Sequence, residues 1–374
     1  MQITVIGAGI QARAICHALL AQADVETVVL ADVSEQSVAA LASVLNDPRV
    51  VGRVCDASDY KDVKALLEGS CAAISAAPYH LNEKIARAAI AAVCSFCDLG
   101  GNNDVVAQEL AMDKDAKLSG IAIVPDCGLA PGLGSILTAH AVKHMKSVDS
   151  VSIRCGGIPQ KKDGFLNYAL FFSEQGVVNE YVEDAMILVD GKIWQVPSLE
   201  AFEEVEFHPP WVGLEAFTTS GGASTLPITY EGKIRSLDYK TIRWTGHGQI
   251  FRGMKRLGLL SGDPIKLRGG DVIPREVVES RMAATLDRNT PDVILLRVTA
   301  RGGNQTRTYE AVEFPADGMS AMARMTGFPA ALVLLMLARG QIDPGARPQE
   351  LCVDPDVFLD GLDKLGIDIE REAR

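Results

Sequence analysis

The residues best suited to chemistry lie in one stretch, Tyr239-Lys-Thr-Ile-Arg-Trp-Thr-Gly-His247. As a strand, its period-two geometry puts Tyr239, Thr241 and Arg243 on one face, extending to Thr245 and His247 unless Gly246 breaks the run. Lys240 then points the other way. The Arg243 guanidinium can hold a carboxylate through two parallel hydrogen bonds, and the Thr241 hydroxyl can bond the same group. His247 has an ordinary pKa of about 6.5, suited to accepting a proton near neutral pH; its other reading is a turn histidine in Thr-Gly-His-Gly. His80, after Tyr79, is the rival base, and Lys240 is a third if the strand is bulged. His17, His140 and His144 fall on helical patterns and read as structural.

The elements that must position these groups begin at the N-terminus. Met1 to Ile15 reads as a buried strand, a Gly7-Ala-Gly9 turn and a helix opened by Ile10 and Gln11. Gly7 permits the tight turn, Gly9 lets a pyrophosphate approach the backbone, and Ala12 lets the helix pack closely on the strand. Phosphates would sit on the unpaired N–H groups of the helix N-terminus. A second strand, Glu26 to Ala31, ends at Asp32, roughly 20 residues beyond the glycines, where a carboxylate binds a ribose 2′-hydroxyl; this favours NAD over NADP. Asp32 reads otherwise as a cap or turn residue before Ser34. Asp56, ending a third strand at Val50, either touches the adenine side or caps the next helix, a role open also to Ser58 or Asp59. Tyr79 lines the nicotinamide pocket.

Strand and helix then alternate. Ala72 to Ala77 runs into Pro78-Tyr79-His80, Asn82 to Ala92 is a helix, and a fifth strand ends at Asp98-Leu-Gly-Gly-Asn-Asn103. Val105 to Leu118 is a helix leading to a sixth strand, Ile121 to Asp126. The pattern predicts an α/β protein with a Rossmann-type parallel sheet, whose ligand crevice lies beyond the carboxyl ends of the strands. The loops holding Ser75 to His80, Gly100 to Asn103 and Cys127 to Pro131 therefore converge. From Asp149 the strands become irregular and alternating, which predicts a second, α+β domain with a mixed sheet. The expected division is a cofactor domain at 1–130, a catalytic and oligomerisation domain at 131–334, and a tail at 335–374 packing back on the first. The acidic stretch Glu200 to Glu206 reads as a solvated face. Asn167 to Gly176 is aromatic and poorly periodic, either a lid or a subunit interface; Phe171 and Phe172 favour the interface if exposed.

The chain has 374 residues, 48% of them hydrophobic and 22% charged, which suits about two globular domains rather than disorder. A net charge of −12 argues against nucleic-acid or acidic-membrane partners and leaves a small-molecule substrate. The apolar run Phe328 to Ala338 reads as too short to span a bilayer, and Met1 leads straight into a strand, so a soluble cytoplasmic protein is expected. Eight cysteines scattered through apolar segments read as free thiols. Cys94-Ser-Phe-Cys97 has a metal or redox spacing but no second ligand pair, so no metal is expected.

Several segments together resemble the saccharopine dehydrogenase-like family, and within it the lysine 6-dehydrogenases: Gly7-Ala-Gly9, Asp98-Leu-Gly-Gly101, Pro125-Asp-Cys-Gly-Leu-Ala-Pro-Gly132, Gly156-Gly-Ile-Pro159, Leu214 to Gly222, Tyr239 to Arg243 and Ala321-Met-Ala-Arg324. The resemblance implies NAD-dependent oxidation of the lysine ε-amine to an imine that hydrolyses to the semialdehyde and cyclises. It implies cofactor contacts at the glycine turn, Ala76, Ala77, Pro78 and Leu129. Substrate contacts are implied near Gly101 and Asn102, at Ala130, and on Thr241 to Arg243. Saccharopine-forming relatives carry an aspartate where Ala130 stands and an arginine near Ser220-Gly-Gly222; lacking both, this chain suits a smaller diamino acid. The alternatives are a saccharopine- or carboxynorspermidine-type reductase joining an amine to a carbonyl, and a non-catalytic cofactor-binding relative. A homodimer or higher homo-oligomer is expected.

Overall fold

The computed structural model describes residues 1–162 and 164–374. Two compact units emerge. The first comprises Met1–Lys143 with Ala323–Asp368, the second His144–Met322 with Ile369–Arg374. The divisions fall later than 130 and earlier than 335, because the helix Leu133–His144 and most of the helix Ala321–Ala338 pack with the first unit.

In the first unit, β1 (Gln2–Ile6), β2 (Thr27–Asp32), β3 (Val50–Val54), β4 (Ala72–Ser75), β5 (Ser95–Asp98) and β6 (Ala122–Val124) form a parallel sheet in the order β6-β5-β4-β1-β2-β3. The C-terminal segment Gly345–Ala346 adds a seventh parallel strand beside β6. Ile3, between Val28 and Ala72 in register, is fully buried like both neighbours, as expected for strands covered by helices on both faces. The chain therefore leaves each strand at the carboxyl end of the sheet, where Gly7, Asp32, Ala76 and Leu99 stand. The expected helix from Val105 to Leu118 is two, Asn103–Leu110 and Asp113–Ser119, broken at Met112.

The helix Ile10–Leu20 is held from outside by Ala321–Ala338. A Cβ on Gly327 would lie 2.6 Å from the Ala14 Cβ and 3.1 Å from the Ile15 backbone nitrogen, so only glycine admits this approach. The apolar run read as too short for a bilayer extends into this 18-residue helix, because Arg324 and Thr326 interrupt its hydropathy without interrupting its turns. By length and composition it is long and apolar enough to cross a membrane, but 83% of it is buried inside the protein.

In the second unit, β7 (Ser150–Pro159), β8 (Ala185–Val189), β9 (Lys192–Val196), β10 (Glu203–Val205), β11 (Leu214–Thr218), β12 (Ser236–Trp244), an exposed hairpin of β13 (Ile265–Leu267) and β14 (Gly270–Val272), β15 (Asp292–Gly302) and β16 (Gln305–Glu313) follow in order. The main sheet is mixed and runs β10-β11-β12-β7-β15-β16, with the terminal strand Glu370–Ala373 on its edge. Central β12 pairs parallel with β7 and antiparallel with β11, so both of its edges are hydrogen-bonded. Ile242 and Trp244 join Ile158, Leu214, Val293 and Leu295 in an apolar core on one face. Tyr239, Thr241 and Arg243 take the other, where Thr241 stands opposite Phe217 and Cys155.

One open point is resolved in this unit and two expectations are corrected. The strand does not reach His247: Gly246, at φ 101°, turns the chain and His247 begins the helix His247–Arg256. Glu200 to Glu206 is not simply solvated. Its β10 pairs with β11, Glu203 binds Arg154 and Lys240, and Glu200 binds Arg252. Phe171 is no exposed contact either, since it is buried edge-on against Tyr168.

Candidate active site

The first unit builds the cofactor half from the strand ends. Gly7, at φ 102°, donates its N–H to the Ala31 carbonyl at 2.7 Å, and a Cβ there would lie 2.7 Å from the Ala76 carbonyl oxygen. The glycine thus lets the Ala76-Ala77 segment close on the turn. A Cβ on Gly9 would meet nothing within 4 Å, which is the open room a pyrophosphate needs at the N-terminus of Ile10–Leu20. Gln11 Oε1 is buried there with no hydrogen-bond partner among the described residues. Asp32 is pinned beside the turn, accepting from Ala8 N and Ser34 N at 2.8 Å each, which leaves further lone pairs for ribose hydroxyls. These features fit a dinucleotide.

Asp56 is placed otherwise. Its carboxylate is exposed and accepts from Ser58 N, whose hydrogen bonds hold it below the usual carboxylate range, while Asp59 caps the helix Tyr60–Leu67. Pro78 and His80 are exposed, and half-buried Tyr79 packs its ring where a Cβ on Gly101 would stand, 3.2 Å away. Asn102 accepts from Asp104 N and Val105 N, so its side chain caps a helix. Leu129 is buried and Ala130 half-buried; the Gly128 and Leu129 carbonyls accept from Leu133 N and Gly134 N, folding the loop onto the helix that follows.

Beneath the Gly100-Gly101 turn lie two fully buried acids, Asp98 and Glu109. Burial and the neighbouring Asp98 charge push the Glu109 carboxyl far up, so it keeps its proton and donates it to Asp98. Burial also raises Asp98, against hydrogen bonds from Glu109, Gly100 N at 2.6 Å and Asp126 N at 3.4 Å. The shared proton anchors the turn.

The second unit builds around Arg243. Its guanidinium is buried under the ring of Tyr168, 5.0 Å from the centroid, and 6.0 Å from that of Tyr181. Nε donates to Tyr181 Oη at 3.0 Å and Nη1 to the Ile242 carbonyl at 2.9 Å. Nη2 has only a loose ion pair, 3.8 Å from Glu180 Oε2. Glu180 is carried by the helix Glu174–Val182, capped by Ser173 and anchored by buried Val177, Val178 and Tyr181. Partial burial pushes the Glu180 carboxyl upward, with Arg243 pulling it back. The Tyr168 hydroxyl is buried with no partner among the described residues.

His247 supports this cluster from behind. Its ring is fully buried; Nδ1 lies 2.9 Å from the Leu166 carbonyl and Nε2 2.9 Å from Tyr181 Oη. A carbonyl only accepts, so Nδ1 carries the proton, Nε2 accepts from Tyr181, and Tyr181 in turn accepts from Arg243. Burial, then the Arg243 charge, lower the ring to about 3, keeping it neutral. With no exposed nitrogen, His247 orients Tyr181 instead of serving as the proton acceptor read from its pKa. Lys240 points to the opposite face and pairs with Glu203 at 2.7 Å, and Thr241 bonds Thr219 at 2.7 Å. Tyr168, Glu180 and Tyr181 were not singled out in sequence as site residues. The signal was present: Ser173 caps before a Glu, and apolar residues at 177, 178 and 181 mark a helix face.

Two family models match, the saccharopine dehydrogenase NADP binding domain over residues 3–124 and the saccharopine dehydrogenase C-terminal domain over 128–367. Mitochondrial alpha-aminoadipic semialdehyde synthase of Bos taurus is 23% identical over 325 residues, 84% of this chain but 34% of that protein; the chain thus spans about a third of its length. Carboxyaminopropylagmatine dehydrogenase of Synechocystis is 22% identical over 98% of this chain and 96% of its own. The solved saccharopine dehydrogenase (L-Glu forming) of Saccharomyces cerevisiae shares the fold, with a TM-score of 0.80 and 18% identity over 100% of this chain and 99% of that one. By sequence over both units, the chain belongs to the saccharopine dehydrogenase family.

Proposed function

We propose that this protein is an NAD-dependent oxidoreductase that oxidises the amino-bearing carbon of a diamino acid, L-lysine or a close relative, to the semialdehyde and its cyclic imine. The observation that carries this reading is Arg243, a buried guanidinium whose Nη2 has no acceptor within hydrogen-bond distance among the described residues. A cation is not buried with unspent donors for stability alone, and a substrate carboxylate is the planar acceptor its fork fits. Tyr168 and Tyr181 hold the guanidinium in place, and His247 fixes the Tyr181 hydroxyl, so the anchor is preorganised. Bound in the first unit, the nicotinamide supplies the hydride acceptor. Gly7, Gly9 and the Gln11 backbone N–H would hold its phosphates and Asp32 its ribose; the Asp32 carboxylate would repel a 2′-phosphate, which favours NAD. The substrate proton needs an acceptor open to solvent, a condition that His80 meets and His247 does not.

A second reading is favoured by the full-length likeness to carboxyaminopropylagmatine dehydrogenase: a reductase forming a carboxylate-bearing secondary amine. It uses the same anchor. The test is NADH formation from a panel of amino acids and diamines, run beside cofactor oxidation with oxo acids plus amines. Turnover of lysine, ornithine or a close diamino acid supports the first reading; activity confined to the condensation direction replaces it with the second.

A further inference from the structure

We propose that Glu180 is a specificity-determining residue that pairs with a substrate ammonium beside the carboxylate held by Arg243, so that the second unit reads an α-amino-acid head group as a zwitterion. The inference deepens the proposed function and rests on its reading of Arg243 as a carboxylate anchor. Three groups in one cluster carry unspent hydrogen-bonding capacity. Nη2 of Arg243 has no acceptor within bonding distance, the buried Tyr168 hydroxyl has no partner, and the Glu180 carboxylate accepts no hydrogen bond among the described residues.

They do not satisfy one another, since Glu180 and Arg243 stand 3.8 Å apart. Two donors and one acceptor are the complement of a carboxylate and an ammonium on one carbon. The Glu180 side chain is 30% exposed while that of Arg243 is 3% exposed, so of the two charges it is the acid that solvent reaches. A carboxylate so deprived of donors gains from an ammonium, which brings three N–H groups and a charge.

The test is calorimetric binding to the full-length protein of lysine, ornithine and glutamate against their counterparts without the α-amine, 6-aminohexanoate, 5-aminopentanoate and glutarate. Wild-type protein is expected to bind the better amino acid at least about tenfold more tightly than its counterpart. Glu180→Gln, nearly isosteric, should weaken the amino acid about 10- to 100-fold, as for a lost bond to a charged group. Its affinity for the counterpart should move less than about threefold. Equal loss for both, or loss for neither, overturns the assignment, as does failure of every amino acid to bind wild-type protein. Selective binding without NADH formation contradicts the oxidation reading alone and leaves Glu180 in its role.

Discussion

Each unit buries a cluster of charged side chains beside its strand ends, and the two clusters close differently. In the first unit Asp98 and Glu109 are fully buried acids, yet a proton kept on Glu109 leaves one charge between them, and the backbone N–H groups of Gly100 and Asp126 face that charge on Asp98. One Glu109 oxygen keeps no donor among the described residues, but no charge is left unpaired there. In the second unit Arg243, Glu180 and Tyr168 are held just as firmly, by Tyr181 and His247, but their capacity does not cancel internally. A buried polar cluster that balances itself is scaffold; one that is preorganised and unbalanced is shaped around something from outside.

The largest effect is expected behind the open cluster. His247→Ala empties a fully buried ring site packed on Tyr168, Tyr181 and Phe251, and should cost about 3–5 kcal/mol in denaturant unfolding at neutral pH. His247 is lowered in the folded state, from 6.5 to about 3. Its contribution is therefore fully present above the unfolded pKa and is lost as pH falls from 6.5 towards 3. Wild-type stability should decline through that window, and the variant should decline less. A variant that keeps its stability but loses kcat would instead make His247 the base.

Glu109→Ala should come next, at about 1–3 kcal/mol, because Asp98 loses its buried donor. Glu109→Gln, which keeps a donor, should recover most of this, and neither change should alter the preference between lysine and 6-aminohexanoate. Equal losses in the two variants would show that volume, and not the shared proton, holds the turn. Tyr168→Phe should separate the clusters further: removing an unpartnered hydroxyl is expected to leave unfolding within about 0.5 kcal/mol of wild type while weakening lysine about 3- to 10-fold. A clear loss of stability without loss of affinity would mean that the hydroxyl has a protein partner. An effect of similar size is expected at Asp32. Wild-type protein should bind NAD more tightly than NADP in titrations, and Asp32→Ser should narrow that gap by about tenfold; equal binding of both by wild-type protein would remove the ribose role.

The comparison also marks how far the sequence could be read. β1, β2, β4 and β6 announce themselves by nearly continuous apolar runs and β3 and β5 by their places between helices, so the glycine turn, Asp32 and the loops after β4 and β5 could be placed at one end of the sheet before any coordinates. The face of β12 was legible for the same reason: alternation alone separates Thr241 and Arg243 from Lys240. Tyr168 and Glu180 were not, because they reach Arg243 from an irregular segment and a helix some 60 to 75 positions earlier, and no local period encodes that packing. His247 stayed open between a base and a turn histidine, because an ordinary pKa does not choose between them. What decides its role is burial behind Gly246, where the chain turns out of the strand.

The most direct test concerns Arg243. L-lysine and cadaverine share their amine and differ by the carboxylate, so steady-state kinetics of both, on wild-type protein and Arg243→Ala, isolate the anchor. Wild-type protein should favour lysine strongly in kcat/KM. Arg243→Ala should lose about 2–5 kcal/mol on lysine, mostly through KM, and change little on cadaverine. Equal losses on the two substrates, or an undiminished preference for lysine, would contradict Arg243 as the group that holds the substrate carboxylate.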